Sequence, residues 1–512
     1  MRTHPHAETS TLKIRITAAF KSNPWLWSLL ILGLAGNLAG WLLLGALPDE
    51  AYYWTWSQHL QAGYYDHPPL IAWMIRTFTA IFGDSVWAMR LPSVVGWFAS
   101  TSFAWIVARK IYGTERAAFL AALVWSSLPI VQAGFHVNTP DTPLVLFTWV
   151  TLYFALRALN EGTVWLWIVA GVCTGLALEG KYPGVLVAAG LFLGLALTQQ
   201  GRAALATRGP WLGVLTAALV FAPVVIWNSQ HEWISFAFQF HHGVASEKIG
   251  SQESFSRFME FLGGQWGVIL PWTWFAMAFA SLPWRSQLNR ISVPSFAILS
   301  MTFWLPLVFF GWASLTAKSQ ANWPETAYIS GTVLLAGTLD GWLARGRRRA
   351  VVVGVSYLFG VIVINLLRFP QWLDALPLNL PPQRTQLSQT YGWEAVGAAL
   401  HEMLAGRHDC VVLGDRLQTT AMLAFILDDV NRVAVTNDTR LNQFQLWQRE
   451  RPIPASRLCL YFAQYDADEK IPDRVDLNTQ GNWHLVKVIE HHNPDRTVRR
   501  SAFFLPVASA TP

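Results

Sequence analysis

Side chains that can move protons or hold anions are concentrated in a few short stretches of an otherwise apolar chain. One stretch places Asp49 and Glu50 directly after a long apolar run, and the others contribute Asp141, Lys181 and Lys318. A carboxylate within hydrogen-bond reach of a hydroxyl can act in acid–base catalysis. A lysine can hold a phosphate group as a compact point charge. These stretches are therefore the candidate functional site.

The acidic residues also have structural interpretations. Asp49 occupies a position where a helix N-cap is expected, and aspartate is among the best caps. Glu50, one residue later, suits the positive end of a helix dipole. Thr139 or Asp141 can cap the next apolar segment, although a carboxylate that enters the bilayer is costly unless it faces a polar cavity. The two interpretations are compatible, because a capping carboxylate can still face a cavity.

The basic residues and histidines leave similar alternatives open. Lys181 lies between two apolar segments with almost no loop, so it either extends to the lipid headgroups or holds a phosphate. Lys318 has the same two interpretations. His67 precedes two prolines that keep its backbone extended, and it either packs in the loop or lines a pocket. The adjacent His241 and His242 cannot share one helix face, which argues against a metal site built on that pair.

Motifs of nucleotide-driven pumps and of common soluble enzymes are missing from the sequence. It contains no GxxxxGK[ST] phosphate loop, no GxGxxG opening a strand–helix unit, no HExxH and no GxSxG. What remains is a set of carboxylates and cations between apolar segments.

Composition indicates which elements position these residues. The chain has 512 residues, of which 53% are apolar and only 13% are charged, about half the charged share of soluble domains. A bilayer core takes roughly 20 apolar residues per helix. Eleven segments are predicted to span the membrane: residues 25–47, 91–109, 117–134, 140–158, 163–179, 182–199, 211–228, 263–283, 292–315, 325–344 and 350–368. The first has no small-residue cleavage site after it, so we expect a retained span rather than a signal peptide.

Loop charges predict which side of the membrane each loop faces. Loops at one end contain arginine, as in ARKIYGTER and RGRRR, whereas loops at the other end are rich in acids, aromatics and histidine. The positive-inside rule places the arginine-bearing loops and the N-terminus in the cytoplasm. Because the number of spans is odd, the C-terminal part is expected outside, which is the periplasm in a Gram-negative cell. The candidate residues then share the outer face of the inner membrane.

Two regions are predicted to lie outside the bilayer. Residues from about 50 to 83 form two helices on the outer interface, which cover the bundle like a roof. A proline-rich stretch near Pro370 separates a membrane domain, 1–368, from an extracytoplasmic domain, 369–512. Apolar alternation in the second domain predicts a small α/β layer.

The role of the C-terminal domain is open at this point. It could recognise an acceptor, act as a lid over the site, or serve as a purely structural cap. Its Cys410 and Cys459 both stand in segments that resemble buried strands. They are either two buried thiols or a disulfide, which an extracytoplasmic location allows.

Several motifs recur in a fixed order along the chain: Asp49-Glu50-Ala51-Tyr52-Tyr53, Tyr65-Asp66-His67-Pro68-Pro69-Leu70, Thr139-Pro140-Asp141, Lys181-Tyr182, Phe238-Gln239 with His242-Gly243, Asn322-Trp323-Pro324, Tyr391-Gly392-Trp393 and Arg440-Leu441-Asn442-Gln443. This order resembles the GT-C class of membrane glycosyltransferases, in particular the bacterial branch related to protein O-mannosyltransferases and to the lipid A aminoarabinose transferase. The resemblance covers nearly the whole chain, and the acidic first outer loop is its most specific element.

The resemblance implies a fold and an activity. The fold would be an all-α polytopic membrane bundle of the GT-C type with a small C-terminal α/β domain. The activity would be inverting transfer of a sugar from a polyprenyl-phosphate-linked donor at the outer face of the cytoplasmic membrane. The acceptor would belong to the cell envelope: lipid A or another glycolipid of the lipopolysaccharide type, a polysaccharide or a protein. Apart from these substrates and membrane lipids, no partner is expected, and in particular no nucleic acid.

The resemblance also assigns roles to residues. Asp49 would act as general base or orient the acceptor, with Glu50 as the adjacent alternative and Asp141 as a second acid. Lys181, Tyr182 and Lys318 would hold the donor phosphate. The pocket would be lined by Tyr53, Tyr65, His67, Asn138, His242 and Asn322. Some members of the class use a divalent metal, which is therefore possible, but no compact ligand cluster stands in the sequence and no obligatory metal is predicted.

Two other classes of function compete with this interpretation. The first is a transporter or flippase of lipid-linked sugars, which would often show two related halves and spans broken near the midplane. The sequence shows no such symmetry, and its polar residues lie at one face. The second is a scaffold for envelope assembly, which would leave the acidic loop without a task.

Overall fold

The computed structural model describes residues 23–243, 250–368, 389–390, 392–436, 440–477, 480–493 and 496–507. Within these ranges the chain is a helical bundle with apolar helices, followed by a C-terminal sheet. The predicted fold class is confirmed at this level. The predicted domain boundary near Pro370, like Tyr391 and the basic residues before Asn23, lies outside the described ranges.

The helices of the N-terminal part, in chain order, are α1 (Pro24–Leu43), α2 (Pro48–Gln58), α3 (Leu70–Phe82), α4 (Val86–Tyr112), α5 (Glu115–Ser126), α6 (Pro129–Gly134), α7 (Asp141–Glu161), α8 (Val164–Gly180), α9 (Gly184–Ala196), α10 (Gln199–Leu205), α11 (Arg208–Gln230), α12 (Ile234–Gly243), α13 (Ser251–Ile269), α14 (Pro271–Ala280), α15 (Arg285–Leu288), α16 (Val293–Ala313), α17 (Glu325–Leu343) and α18 (Arg347–Arg368). Every predicted span coincides with one of these helices or with two consecutive ones.

Length and composition identify fewer membrane-spanning helices than the eleven predicted spans. Among the described residues, four helices are long and apolar enough to cross a membrane, namely α4, α7, α11 and α16, and the pair α9 and α10, bent by 114°, is a fifth candidate. Two of the other predicted spans are interrupted: α5 is separated from α6 at residues 127–128, and α13 from α14 at Leu270. The total of eleven therefore stays a prediction.

The two helices predicted on the outer interface are α2 and α3. Pro48 stands at the first position of α2, where its fixed φ favours a helix start. The Glu50 carboxylate accepts a hydrogen bond from the Leu47 amide at 3.1 Å, which satisfies a free donor at that end. α3 ends at Gly83, whose φ of +82° suits a residue without Cβ. These two helices carry the chain across one end of the bundle.

The bundle is held by close helix packing around large aromatic residues. Trp125 of α5 and Trp149 of α7 meet edge to face with ring centroids 5.2 Å apart, and both are buried. α8 approaches α7 closely at Gly180, where a Cβ would lie 2.8 Å from the Leu144 amide nitrogen. This approach fixes where the chain leaves α8, and the candidate Lys181 follows directly.

The C-terminal part contains helices α19 (Trp393–Met403), α20 (Leu417–Leu427) and α21 (Gln443–Glu450), and strands β1 (Val411–Gly414), β2 (Val433–Val435), β3 (Leu458–Asp466), β4 (Arg474–Asp476), β5 (Asn482–Asn493) and β6 (Arg496–Pro506). The six-stranded sheet has the order β2-β1-β3-β6-β5-β4. β1 is parallel to β2 and β3, and the remaining neighbours are antiparallel. The predicted α/β layer is present, although the sequence analysis did not predict β4 or β6.

The sheet and its helices pack directly on the roof. α20 lies against α2, and Trp54 meets Phe425 edge to face with centroids 5.2 Å apart. One buried apolar cluster joins residues of α2 and α3 with residues of α20, β1 and β3. Cys410 and Cys459 form a disulfide with Cα atoms 5.6 Å apart, so the bridge is the correct alternative. The C-terminal part is thus tied internally and docked on the end of the bundle that holds the candidate residues.

Candidate active site

A cavity of about 990 Å³ lies between the bundle, the roof and the C-terminal part. One end is polar and is lined by Asp49, Asp66, His67, Asp141, Lys181 and Arg440. The other end is an apolar groove between α8, α9 and α11, lined by residues that include Ala170, Leu186, Leu191, Val214 and Phe221. The cavity therefore suits a molecule with a charged head and a long hydrocarbon part.

Helix α2 carries Asp49 to the polar end. The helix begins at Pro48 and its N-cap is Leu47, so the N-cap interpretation of Asp49 is wrong. Asp49 instead lines the cavity. The surrounding protein removes water from its carboxyl group and so raises the pKa of Asp49, and the neighbouring charge of Glu50 raises it further. A carboxylate with a raised pKa is a better proton acceptor at neutral pH.

Glu50 points away from the cavity and forms a buried ion pair. Arg90 of α4 donates to the two carboxylate oxygens from Nε and Nη2 at 2.8 and 2.6 Å. The Asn138 amide donates to the same carboxylate at 3.1 Å. Both ionic side chains are at most 1% exposed. These contacts fasten the start of α2 to α4 and to the turn before α7, which fixes the position of Asp49.

Asp141 and Lys181 form the second part of the polar end. Lys181 Nζ donates to Asp141 Oδ1, and both side chains are nearly buried. Asn322 Nδ2 donates to Asp141 Oδ2 at 3.2 Å. The Glu325 carboxyl group, at the start of α17, also hydrogen-bonds with Asp141. This cluster contains two acidic side chains and only one basic side chain.

Asp66 forms the third part and links the roof to the C-terminal part. Tyr52 Oη donates to Asp66 Oδ2 at 2.6 Å, and Arg440 Nη2 donates to Oδ1 at 2.9 Å. The Arg440 guanidinium also lies 4.7 Å from the centroid of the Phe238 ring, within cation–π range. Burial raises the pKa of Asp66, while the Tyr52 and Arg440 hydrogen bonds act in the opposite direction.

The cavity histidines are neutral at neutral pH. Burial lowers the pKa of His67 to about 3, and the positive charge of Lys181 adds to the shift. Burial and the charge of Arg440 lower the pKa of His242 as well. Within the described part of the chain, His67 Nδ1 is buried and has no hydrogen-bond partner. The histidines are thus suited to hydrogen bonding with a bound molecule rather than to attracting its charge.

The structure brings together most, but not all, of the residues singled out in the sequence. The cavity is lined by Asp49, Tyr53, His67, Asp141, Lys181, Tyr182, His242 and Asn322. Four predicted residues do not line it: Glu50, Tyr65, Asn138 and Lys318. Asn138 and Tyr65 support the lining from behind, because Asn138 Nδ2 donates to the Met89 carbonyl and the Tyr65 ring packs 4.7 Å from Phe238. Lys318 is mostly exposed and pairs with Glu260 at 3.5 Å.

Sequence reasoning missed several residues at or behind the polar end. Tyr52, Asp66, Gln239 and Arg440 line the cavity, and Glu325 contacts Asp141 from behind. All but Glu325 stand inside the motifs quoted above, so the signal was present, but nothing in the sequence indicated which motif members face one space. Arg440 lies in the C-terminal part, far along the chain from Asp66. Only the packing of α20 and α21 on the roof brings the two together.

The cavity does not offer an obvious metal centre. Among the described residues, no three His, Cys, Asp or Glu side chains are grouped so that they could hold a metal ion. Asp66 and Asp141 are engaged by protein donors. The absence of an obligatory metal stays a prediction.

The chain is similar to known proteins in sequence and in fold. Residues 66–227 match the family described as dolichyl-phosphate-mannose-protein mannosyltransferase. The chain shares its fold with ArnT from Cupriavidus metallidurans bound to undecaprenyl phosphate, with a TM-score of 0.60, 17% identity, and coverage of 96% of this chain and 100% of that one. The chain therefore has the fold of this ArnT.

Two characterised relatives place the chain more narrowly. It is 31% identical over 325 residues to the lipid A galacturonosyltransferase RgtD of Rhizobium johnstonii, a match that covers 62% of this chain and 66% of the relative. It is 27% identical over 334 residues to the undecaprenyl phosphate-alpha-4-amino-4-deoxy-L-arabinose arabinosyl transferase of Pseudomonas savastanoi, covering 60% and 59%. The chain thus spans less than two thirds of the length of either relative. Over the matched part, its sequence is similar to these two transferases.

Proposed function

We propose that this protein transfers a sugar, with inversion, from a polyprenyl-phosphate-linked donor to an acceptor of the cell envelope. The observation that carries the proposal is the single cavity that joins a polar end, with Asp49, Asp141 and Lys181, to an apolar groove between three helices. A lipid-linked sugar phosphate has the same division. The relatives support this reading, since their names describe transfer of galacturonic acid to lipid A and transfer from an undecaprenyl-phosphate sugar.

In this proposal Lys181 binds the donor phosphate. Lys181 lines the cavity at the end of α8, one of the helices that form the groove, and Tyr182 follows it. A cation beside the phosphate stabilises the negative charge that grows on the leaving group as the bond to the sugar breaks. Lys318 lies outside the cavity and is not assigned to the donor.

Asp49 is proposed as the general base when the acceptor group is a hydroxyl. The acceptor oxygen attacks the anomeric carbon, the bond from that carbon to the phosphate oxygen breaks, and its electron pair leaves with the lipid phosphate. The acceptor proton passes to Asp49. If the acceptor group is a phosphate, no proton needs to be removed, and Asp49 then orients the acceptor. Glu50 is proposed to position Asp49 through its ion pair with Arg90.

The C-terminal part is proposed to complete the acceptor side of the site. Arg440, Leu417 and Gln418 line the cavity. Only one hydrogen bond of the Arg440 guanidinium goes to Asp66, and its side chain is 54% exposed. Because Arg440 lines the cavity, its other N–H groups are available to an anionic or hydroxylated acceptor there. Acceptor recognition is thus favoured over a purely structural cap.

We also propose the finer topology. Eleven spans place the N-terminus in the cytoplasm and the C-terminal domain, residues 369–512, in the periplasm, with the membrane domain at 1–368. Support comes from the shared end of the bundle at which Asp49, Asp141 and Lys181 meet, and from the arginine-bearing loops at the opposite end. A flippase would need the same cavity, but the relatives are named as transferases rather than transporters.

The test uses the purified full-length protein in lipid nanodiscs. It is incubated with undecaprenyl-phosphate-linked galacturonic acid or aminoarabinose, each with lipid A, and the lipids are analysed by mass spectrometry. Transfer of a sugar by the wild type and its loss in Asp49→Asn support the proposal. Sugar movement across sealed vesicles without any covalent product would instead identify a flippase.

A further inference from the structure

Glu325 is a buried acid for which the proposed reaction has no role so far. It begins α17, and only 6% of its surface is exposed. Its carboxyl group hydrogen-bonds with Asp141, which in turn is bound by Lys181. Within the described chain, Glu325 Oε1 has no hydrogen-bond partner. An ionised carboxylate in that position would leave a charged oxygen without compensation.

The space beside Glu325 offers little water. Asp141 and Glu325 line a second void of about 10 Å³, whose other walls are mainly apolar, from Trp125, Ile130 and Phe135. A void of this size holds at most about one water molecule. Hydration therefore cannot stabilise a negative charge on Glu325, and a neutral acid is the form that fits the site.

The contact with Asp141 fixes the number of protons. A hydrogen bond between two carboxyl groups needs one hydrogen, and two adjacent carboxylates repel each other, so the pair shares a proton. The pair then carries one negative charge, which Lys181 balances. The three groups together are neutral, although they contain two acids and one base.

We propose that Glu325 keeps this proton and thereby holds the phosphate end of the cavity neutral, so that an anionic lipid phosphodiester can bind beside Lys181. The inference rests on the proposed function and adds a positioning residue to it, since Glu325 acts through Asp141 and Lys181 and does not line the main cavity. Loss of the proton would give the cluster a net negative charge, which repels the donor phosphate.

The surroundings make this titration readable. The charged groups that act on Glu325 are Asp141, from α7, and Lys181, from the turn after α8. His67 stands beyond Asp141 and is neutral. The faces of α5 and α6 that reach the void contribute apolar side chains. A change in donor affinity that depends on Glu325 therefore reports the charge of this cluster.

The test measures binding of undecaprenyl methyl phosphate, a diester, to full-length protein in lipid nanodiscs. A diester lacks the second ionisation of a phosphate monoester near pH 6, so the charge of the probe stays constant. We expect wild-type affinity to fall by at least about tenfold as the pH is raised from neutral until the shared proton is lost, the result of one added negative charge in the cluster. Glu325→Gln, which keeps the shape and a hydrogen-bond donor but cannot ionise, should bind equally well across this range.

The matched control is Glu179→Gln. Glu179 is also buried, and in the described structure neither of its carboxylate oxygens has a hydrogen-bond partner, but it is not bound to Asp141. It should keep the wild-type loss of affinity at alkaline pH. A Glu325→Gln variant that binds the diester more weakly than the wild type at neutral pH, one that loses affinity at alkaline pH as the wild type does, or a flat profile in Glu179→Gln instead would each overturn the proposal.

A second measurement does not depend on the fold of a variant. The infrared spectrum of the wild type at neutral pH should contain the carbonyl band of a protonated carboxylic acid that shifts in D₂O and when the lipid phosphodiester binds. A wild-type spectrum without a band that responds to the ligand contradicts the inference. Because neither readout requires sugar transfer, failure of the proposed function and failure of this inference can be told apart.

Discussion

Two clusters of buried carboxylate and cation lie near the two ends of the same helix, α17, and they differ in what they leave unpaired. Glu325, at one end, contacts Asp141, and Lys181 is the single cation of this cluster. Asp141 and Lys181 line a large cavity. Asp340, about 22 Å along the helix at 1.5 Å per residue, accepts hydrogen bonds from Arg116 and Arg290. Asp340 does not line that cavity.

The difference shows how a buried charge can be recognised as structural or functional. Two arginines bind Asp340 and join α17 to α5 and to the turn between α15 and α16, so this cluster holds helices together. The Asp141 cluster has more acids than bases and faces open space. A buried acid without a basic partner of its own, close to a cavity, is therefore the sign of a site, whereas an acid held by two arginines is the sign of a structural contact.

The largest expected effect is on chemistry, from Asp49→Asn. Loss of a general base slows a reaction by about 10²–10⁴-fold, and we expect that loss in the rate of transfer to a hydroxyl acceptor. The thermal unfolding midpoint should not fall, because the substitution removes a desolvated charge next to Glu50. Asp340→Asn is the control, with a rate per folded molecule like the wild type. Wild-type turnover in Asp49→Asn would contradict the role of Asp49 as base.

The second effect separates two lysines. Lys181→Met should raise KM for the donor by about 10–100-fold, because a hydrogen bond to a charged group contributes about 1.5–3 kcal/mol. Lys318→Met should leave donor KM unchanged, since Lys318 is mostly exposed and outside the cavity. Steady-state kinetics with varied donor concentration measures both. Equal effects of the two substitutions would show that the cavity is not the donor site.

The third effect concerns stability and the other cluster. Asp340→Ala removes an acceptor of two arginines and should lower the free energy of unfolding by about 1–3 kcal/mol. The cost stays below that of a fully buried ion pair because 53% of the Arg116 side chain and 30% of the Arg290 side chain are exposed. Unfolding in mixed micelles measures the change. A lower rate of transfer per folded molecule at unchanged stability would reverse the assignment.

The fourth effect is on the acceptor. Arg440→Ala should raise acceptor KM by about tenfold and leave donor KM unchanged, because a charge-assisted hydrogen bond to the acceptor is lost. Arg416→Ala is a matched control in the same part of the chain: Arg416 pairs with Asp415 and does not line the cavity. Steady-state kinetics with varied acceptor concentration measures both variants. Equal acceptor KM values for Arg440→Ala and Arg416→Ala would refute the role of the C-terminal part.

The smallest effect is a displaced pH profile. Burial raises the pKa of Asp49, so the acid limb of kcat/KM for a hydroxyl acceptor should lie above the ordinary aspartate value of about 3.9. Stability has the opposite sign: a raised pKa in the folded state contributes stability that is present in acid and is lost as pH rises through that pKa. Kinetics and unfolding over the same pH range check both directions, and Asp49→Asn should remove both.

Sequence reasoning succeeded where local pattern decides the outcome. The apolar runs predicted where the helices lie, and the outer-loop carboxylates predicted Asp49 and Asp141 as cavity residues. It failed where the direction of a side chain on one helical turn decides its role. Asp49 and Glu50 are adjacent acids that the sequence does not distinguish, yet Asp49 faces the cavity and Glu50 pairs with Arg90. The partner of Glu50 lies 40 residues away, on α4.

Long-range packing was the other limit. Lys181 and Lys318 both stand next to apolar segments. Only Lys181 follows directly after α8, where the close approach of Gly180 to α7 fixes the path of the chain. Arg440 and Asp66 are separated by 374 positions and meet because α20 packs on α2. No local signal marks such contacts, and the same applies to Glu325, which begins a span like many capping acids.

The most direct test is an experimental structure of the full chain with undecaprenyl phosphate bound. Lys181 Nζ should lie within about 3 Å of a phosphate oxygen. The prenyl chain should follow the groove between α8, α9 and α11, with the phosphate facing Asp49. Density for the phosphate at Lys318, at the Asp340 cluster, or outside the cavity would contradict the account.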